Sequence, residues 1–145
     1  MIRISRFSTA QAADMKSAND LLRQLLHDPS EYKPISLKTL QAIVGERNTI
    51  AVVARDGKKM IGIGLLFVIN KVRGKYGYLE DMIVDADHRG RGIGEKLTQK
   101  LLNVARSKKL KTIELSTRPS RIAANRLYQK FGFEHKETNV YRLKL

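Results

Sequence analysis

Along the chain, apolar positions switch between a two-residue and a 3.6-residue period, the marks of strand and helix. Met1-Ile2-Arg3-Ile4-Ser5-Arg6 alternates like a strand. Ser8 or Thr9 is then placed to cap a helix in which Met15, Ala18, Leu22 and Leu25 recur at helical spacing, with His27-Asp28-Pro29 as its stop. Ser36 caps a shorter helix with the stripe Leu37, Leu40, Val44, and Gly45 is placed to close it in a left-handed conformation. Residues 49–54 and 60–69 return to strand, joined through Arg55-Asp56-Gly57-Lys58, where Asp-Gly is a strong hairpin signal. Arg73-Gly74-Lys75 turns the chain into a third strand over 76–84. From Ile93 the period is helical again, with Ile93, Leu97, Leu101, Val104 and Ala105 on one face. A strand over 111–117 follows, so strand, loop, helix and strand form a parallel crossover. Pro119-Ser120 opens a last helix with Ala124, Leu127, Tyr128 and Phe131 on its stripe, Gly132 ends it, and 133–145 reads as strand or hairpin.

Composition narrows the class. The chain has 145 residues, enough for one domain with a real core and too few for two, so 1–145 is read as a single domain. The N-terminus lacks the apolar core and cleavage site of a secretory signal. The longest apolar run, residues 60–69, is about half of what a membrane-crossing helix needs. With no cysteine and three scattered histidines, thiolate chemistry and metal-ligand spacing are both missing, and a reducing cytoplasm is expected. Lys and Arg outnumber Asp and Glu by 28 to 14, a field that attracts phosphate-rich ligands or nucleic acid without choosing between them.

The chemistry concentrates in Val84-Asp85-Ala86-Asp87-His88-Arg89-Gly90-Arg91-Gly92-Ile93-Gly94, a strand end, a glycine-rich loop and a helix start. Helix N-termini present unpaired N–H groups to phosphate oxygens; Gly90, Gly92 and Gly94 remove Cβ atoms that would hold a ligand off, and Arg89 and Arg91 add charge. The dinucleotide GxGxxG pattern fails at Glu95 and Leu97, and no Gly-Lys-Ser/Thr follows for a P-loop. Farther on, Ala123-Ala124-Asn125-Arg126-Leu127-Tyr128-Gln129-Lys130-Phe131-Gly132-Phe133 brings Arg121, Asn125 and Tyr128 within reach of one another at spacings of three and four.

Arg89-Gly90-Arg91-Gly92-Ile93-Gly94 after Leu79-Glu80-Asp81-Met82-Ile83-Val84 resembles the central motif of the Gcn5-related N-acetyltransferases, and residues 123–133 resemble that family's later motif. The resemblance implies an α/β (α+β) GNAT fold: a mixed, mostly antiparallel twisted sheet of six to seven strands flanked by about four helices. It implies acetyl-CoA as cosubstrate, with Arg89, Gly90, Arg91, Gly92, Ile93 and Gly94 around its pyrophosphate, backbone contacts from Met82, Ile83 and Val84 to the pantetheine arm, and Asn125 as a further cofactor contact. No metal is implied.

The family reaction is direct attack of an amine on the thioester in a ternary complex. A lysine-like amine with a pKa of about 10.4 costs about 4.6 kcal/mol to deprotonate at neutral pH, so a base helps. Glu80 is the candidate, directly or through water, with Asp81 on the opposite side of a regular strand. Tyr128 matches the family's usual acid for the departing thiolate. Acceptor specificity in the family lies in residues equivalent to 20–45 and 134–145, where Tyr32 and Tyr141 are available as pocket walls. The positive surface argues against polyamines and for an acidic or phosphorylated acceptor, a protein tail or RNA. The expected partners are therefore acetyl-CoA and an amine acceptor, with no membrane, in a monomer or homodimer. Two alternatives stand beside this: a transferase acting on aminoacyl-tRNA, and a non-catalytic CoA- or nucleic-acid-binding protein of the same fold. The sequence lacks the aromatic signatures of RNA-binding modules.

Overall fold

Residues 49–54, Thr-Ile-Ala-Val-Val-Ala, are buried without a break, which requires a sheet covered on both faces. The computed structural model, which describes residues 1–145, builds that sheet from β1 (Ile2–Arg6), β2 (Thr49–Asp56), β3 (Lys59–Lys71), β4 (Gly74–Val84) and β5 (Ile113–Glu114) in the order β1-β2-β3-β4-β5. The first four are antiparallel neighbours; β5 joins β4 in parallel after helix α3 (Ile93–Ser107). Gly57, at φ +58°, makes the left-handed turn of the β2–β3 hairpin that Asp-Gly predicts.

Helices α1 (Met15–Arg23) and α2 (Leu37–Gly45) cover one face, where Ala18, Leu21, Leu40 and Val44 meet Ala51, Val53, Ile63 and Leu65. On the other face, Ile93, Leu97, Leu101 and Ala105 of α3 meet Ile50, Val52, Leu66 and Leu79. Leu97 and Leu101 are wholly buried, so truncating either to alanine costs about 2–5 kcal/mol. Helix α4 (Ile122–Lys130) lies beside the start of α3, where Leu127 approaches Gly94. No helix is long and apolar enough to cross a membrane.

Several expectations need correction. The first helix is entered through a 3-10 turn, Ala12–Asp14, and not from Ser8 or Thr9. The Asp14 carboxylate accepts the Gln11 N–H at 2.9 Å and pairs with Arg55 at 2.7 Å, fixing the entry there. Ala18 is buried as expected, but beside it Leu21 and not Leu22 is the buried leucine. Ser36 caps α2 as expected, accepting the Thr39 N–H at 3.1 Å, but Gly45 stays inside the helix and extended Glu46 closes it. The expected strand over 111–117 shrinks to Ile113–Glu114 because β5 turns away from β4 after Tyr78. Pro119-Ser120 forms a turn, and α4 starts only at Ile122. Residues 133–145 form no strand, so the sheet has five strands and not six or seven. A two-residue β5 offers the tail little edge to pair with, and Val140, Tyr141, Leu143 and Leu145 stay exposed.

Candidate active site

The site is built around an irregularity in β4. Leu65 pairs with Glu80 and Ile63 with Ile83, so Asp81 and Met82 together lie opposite the single residue Gly64. This is a β-bulge, and Asp81 takes the left-handed conformation, φ +52°. From Ile63 to Val68 facing alternates normally along β3, but it inverts along β4: Leu79 packs on the α3 side, and so do Met82 and Val84, while Ile83 packs with α1 and α2. Asp81, expected on the face opposite Glu80, instead lines a cavity beside α2. Gly64 makes room for the inversion, since a Cβ there would collide with the Met82 sulfur. From Leu79 to Val84, β4 has β3 on one side and no strand on the other.

The loop after β4 is tied down by Asp85, which is 8% exposed. Its carboxylate accepts from Lys59 Nζ at 3.1 Å and Gln24 Nε2 at 3.2 Å, and lies 3.0 Å from His88 Nδ1. Gln24 Oε1 in turn accepts the Ala86 N–H at 3.0 Å, joining the loop to the end of α1. Burial alone would raise the Asp85 pKa; hydrogen bonds from Lys59 and Gln24, the Lys59 charge and the His88 contact outweigh it and hold the carboxyl below the ordinary range. A 3-10 turn, Ala86–His88, then leads to Gly90 (φ +76°) and Gly92 (φ +70°). Neither position has a neighbour where a Cβ would sit, so it is the backbone conformation that demands glycine. No side chain caps α3, so its first N–H groups face outward beside Arg89. An uncapped helix start, open glycine backbone and a guanidinium together suit a pyrophosphate.

A groove of about 200 Å³ runs between this loop, the free edge of β4 and α4. Of the residues singled out in the sequence, Met82, Ile83, Val84, Arg89, Gly90, Gly92, Ile93, Gly94 and Tyr128 line it. Arg91 does not; it reaches back to the Asp87 carbonyl at 3.4 Å. Nor does Asn125, whose amide donates to the carbonyls of Arg118 at 3.1 Å and Arg121 at 2.9 Å and so closes the turn into α4. Glu80 stands outside the groove, exposed on β4. The sequence reading missed His88, Ala123, Ala124 and Leu127 as lining residues, and placed Arg121 near Tyr128 without a role. Arg121 donates to the Met82 carbonyl at 3.4 Å, across the gap where β5 leaves β4.

Tyr128 is 8% exposed and no protein group hydrogen-bonds its hydroxyl. Burial raises its pKa, the Arg121 charge opposes this and the Glu80 charge adds to it, so Tyr128 and Glu80 sense one another. Glu80 is itself raised, by burial first and by its neighbour Asp81 second, against a backbone hydrogen bond that lowers it. Asp81 is raised by burial alone, with neither a hydrogen bond nor a cation to offset it. The cavity it lines, about 480 Å³, lies between α2 and the sheet and is bounded also by Ile43, Glu46, Asn48, Leu65 and Phe67. Tyr32 and Tyr141 line neither space: the Tyr32 hydroxyl donates to Asn19 at 2.6 Å and Tyr141 is 88% exposed.

The acetyltransferase (GNAT) family pattern matches residues 17–133. A protein named probable glucosamine 6-phosphate N-acetyltransferase 2, from Oryza sativa subsp. japonica, is 33% identical over 101 residues, covering 66% of this chain and 59% of that one. The thialysine N-epsilon-acetyltransferase of Sus scrofa is 35% identical over 78 residues, covering 53% of this chain and 46% of that one. The chain thus spans about half the length of these relatives. A Trypanosoma brucei acetyltransferase of known structure superposes over 100% of both chains with a TM-score of 0.81 at 24% identity.

Proposed function

The chain belongs to the acetyltransferase (GNAT) family, and from that premise we propose that it transfers the acetyl group of acetyl-CoA to a primary amine by direct attack in a ternary complex. The observation that carries the reading is a single groove joining the loop and helix start of one motif to Tyr128 of the other. Acetyl-CoA supplies an activated acyl carbon on a thiol leaving group. Gly90, Gly92 and the first N–H groups of α3 hold its pyrophosphate with Arg89, and the strand-free edge of β4 at Met82–Val84, whose Met82 and Val84 carbonyls accept from Arg121 and Arg89, receives the pantetheine arm. Asn125 and Arg91 act on the shape of this cradle and not on its contents, given the carbonyls they bind.

Glu80 accepts the proton that the amine must lose, directly or through water; its raised pKa brings it closer to that task than an ordinary carboxylate. As the nitrogen bonds to the acetyl carbon and the carbon–sulfur bond breaks, Tyr128 donates its proton to the departing sulfur and is reprotonated from solvent. With a free thiol near pKa 8.5 and tyrosine near 10, that transfer is within reach. The net change is an amide, free coenzyme A thiol and one released proton. The relatives named above carry glucosamine 6-phosphate and thialysine in their names, which share a primary amine and little else.

The test is calorimetric titration of acetyl-CoA into wild type and Gly92→Val, followed by transfer assays on peptide, amino-acid, polyamine, aminoglycoside and tRNA acceptors. Micromolar binding by the wild type, lost in a Gly92→Val protein that still melts cooperatively, is the expected result. Equal binding by the two proteins, or acetyl-CoA neither bound nor consumed while RNA binds at moderate salt, would overturn the reading.

A further inference from the structure

The geometry points to the cavity between α2 and the sheet as the acceptor pocket, and to its ligand as a primary ammonium on an apolar body, an alkyl- or aralkylamine without phosphate or carboxylate. This rests on the acetyl-transfer reading and adds the substrate class to it.

Three observations converge. The first is position. Asp81 lines the cavity while the next residue, Met82, lines the groove, so the two spaces meet across one residue of the β4 bulge. An amine lying at Asp81 is therefore next to the strand edge assigned to the thioester, and Glu80, on the other flank of Asp81, is beside the same point.

The second is chemistry. Walls from Ile43, Leu65 and Phe67 are apolar, and the ionisable side chains on the cavity are two carboxylates, Asp81 at the bulge and Glu46 at the end of α2. No lysine or arginine lines it. A phosphate or carboxylate entering there would meet two negative charges with no cation to answer it, whereas an ammonium would give Asp81 the partner it lacks. The net charge of +14 argues the opposite for the surface as a whole. Screening at physiological ionic strength, with a Debye length of about 8 Å, leaves the pocket to its own carboxylates.

The third is conformation. The bulge holds a non-glycine residue at φ +52°, and its effect is to turn Asp81 from the packed α3 side into the cavity. A strained residue that aims a half-buried, unpaired carboxylate into a space of this size is a ligand-binding arrangement, and about 480 Å³ lies within the range of small-molecule pockets.

The experiment measures kcat/KM at saturating acetyl-CoA for 4-phenylbutylamine, hexylamine, glucosamine 6-phosphate and an amino-terminal peptide, with calorimetry of 4-phenylbutylamine on the CoA-loaded protein. The two apolar amines are expected to exceed glucosamine 6-phosphate by about a hundredfold. Asp81→Asn and Ala42→Trp, the latter filling the cavity from the exposed face of α2, should each raise the amine KM at least about tenfold while the acetyl-CoA Kd stays within about twofold. Asp81→Asn should melt no lower than wild type, because it removes an unpaired carboxylate. Preference for the phosphorylated amine or the peptide, or an amine KM indifferent to both substitutions, overturns this assignment and leaves the transferase reading standing. Absence of any acetyl-CoA binding sinks the transferase reading itself.

Discussion

Tyr128 is fixed by one part of its side chain and left free at the other. Its ring packs edge-on against Phe133 with centroids 5.7 Å apart, while its hydroxyl opens on the groove without a partner. Tyr128→Phe therefore keeps the packing and removes only the proton. In stopped-time assays its kcat should fall more than about tenfold, the usual weight of a general acid, with the acetyl-CoA Kd and the melting temperature unchanged; undiminished turnover would take Tyr128 out of the mechanism. Burial raises the Tyr128 pKa, so the acid form persists above the ordinary value of about 10. Any fall of kcat on the basic side from this group should start only beyond that value.

At the scale of elements, the Asp85 knot joins the end of β4, the start of β3 and the end of α1 through Lys59, His88 and Gln24. Asp85→Asn should lower stability at pH 7 by about 1–3 kcal/mol, typical of hydrogen bonds to a charged group. The sign with pH follows from a folded pKa below the unfolded one. The carboxylate's contribution is complete above the ordinary value of about 3.9 and vanishes as pH falls through the folded value. Thermal melts of the two proteins should therefore differ at pH 7 and begin to converge only below about pH 4; a constant gap would place the effect in packing.

The long-range half of this knot was not legible in the sequence, because Lys59 and Gln24 lie 26 and 61 residues from Asp85, and only His88, three residues on, is local. What could be read was local. Asp56-Gly57 marked the hairpin, Ser36 the start of α2, and the stripe from Ile93 to Ala105 the helix that covers one sheet face. The glycine-rich loop could be read for the same reason, since its conformation is written in Gly90 and Gly92. The tail failed in the other direction: Tyr141, Leu143 and Leu145 alternate like a strand, but alternation supplies no partner edge. The bulge left no trace at all, since one inserted residue in Leu79-Glu80-Asp81-Met82-Ile83-Val84 changes neither composition nor average hydrophobicity.

Across the whole molecule, a strongly basic surface surrounds a cavity whose own charges are negative. The two substrates should therefore respond to salt with opposite signs. Raising KCl from 50 to 500 mM should weaken acetyl-CoA binding several-fold, since its phosphates draw on long-range attraction. The KM of an apolar amine should hold or fall, because screening removes a repulsion on approach; parallel weakening of both would mean that the acceptor, too, is read by the basic surface. The bulge carries this division into the strand itself. On either side of Asp81 the same parity of residue number belongs to opposite faces of the sheet, so β4 is in effect two short strands spliced out of phase. Deleting that single residue would do more than remove a carboxylate. It would bring the splice into phase with Leu79 still under α3 and Glu80 still on the opposite face, so that one regular strand would run past the cavity without the left-handed step that serves it.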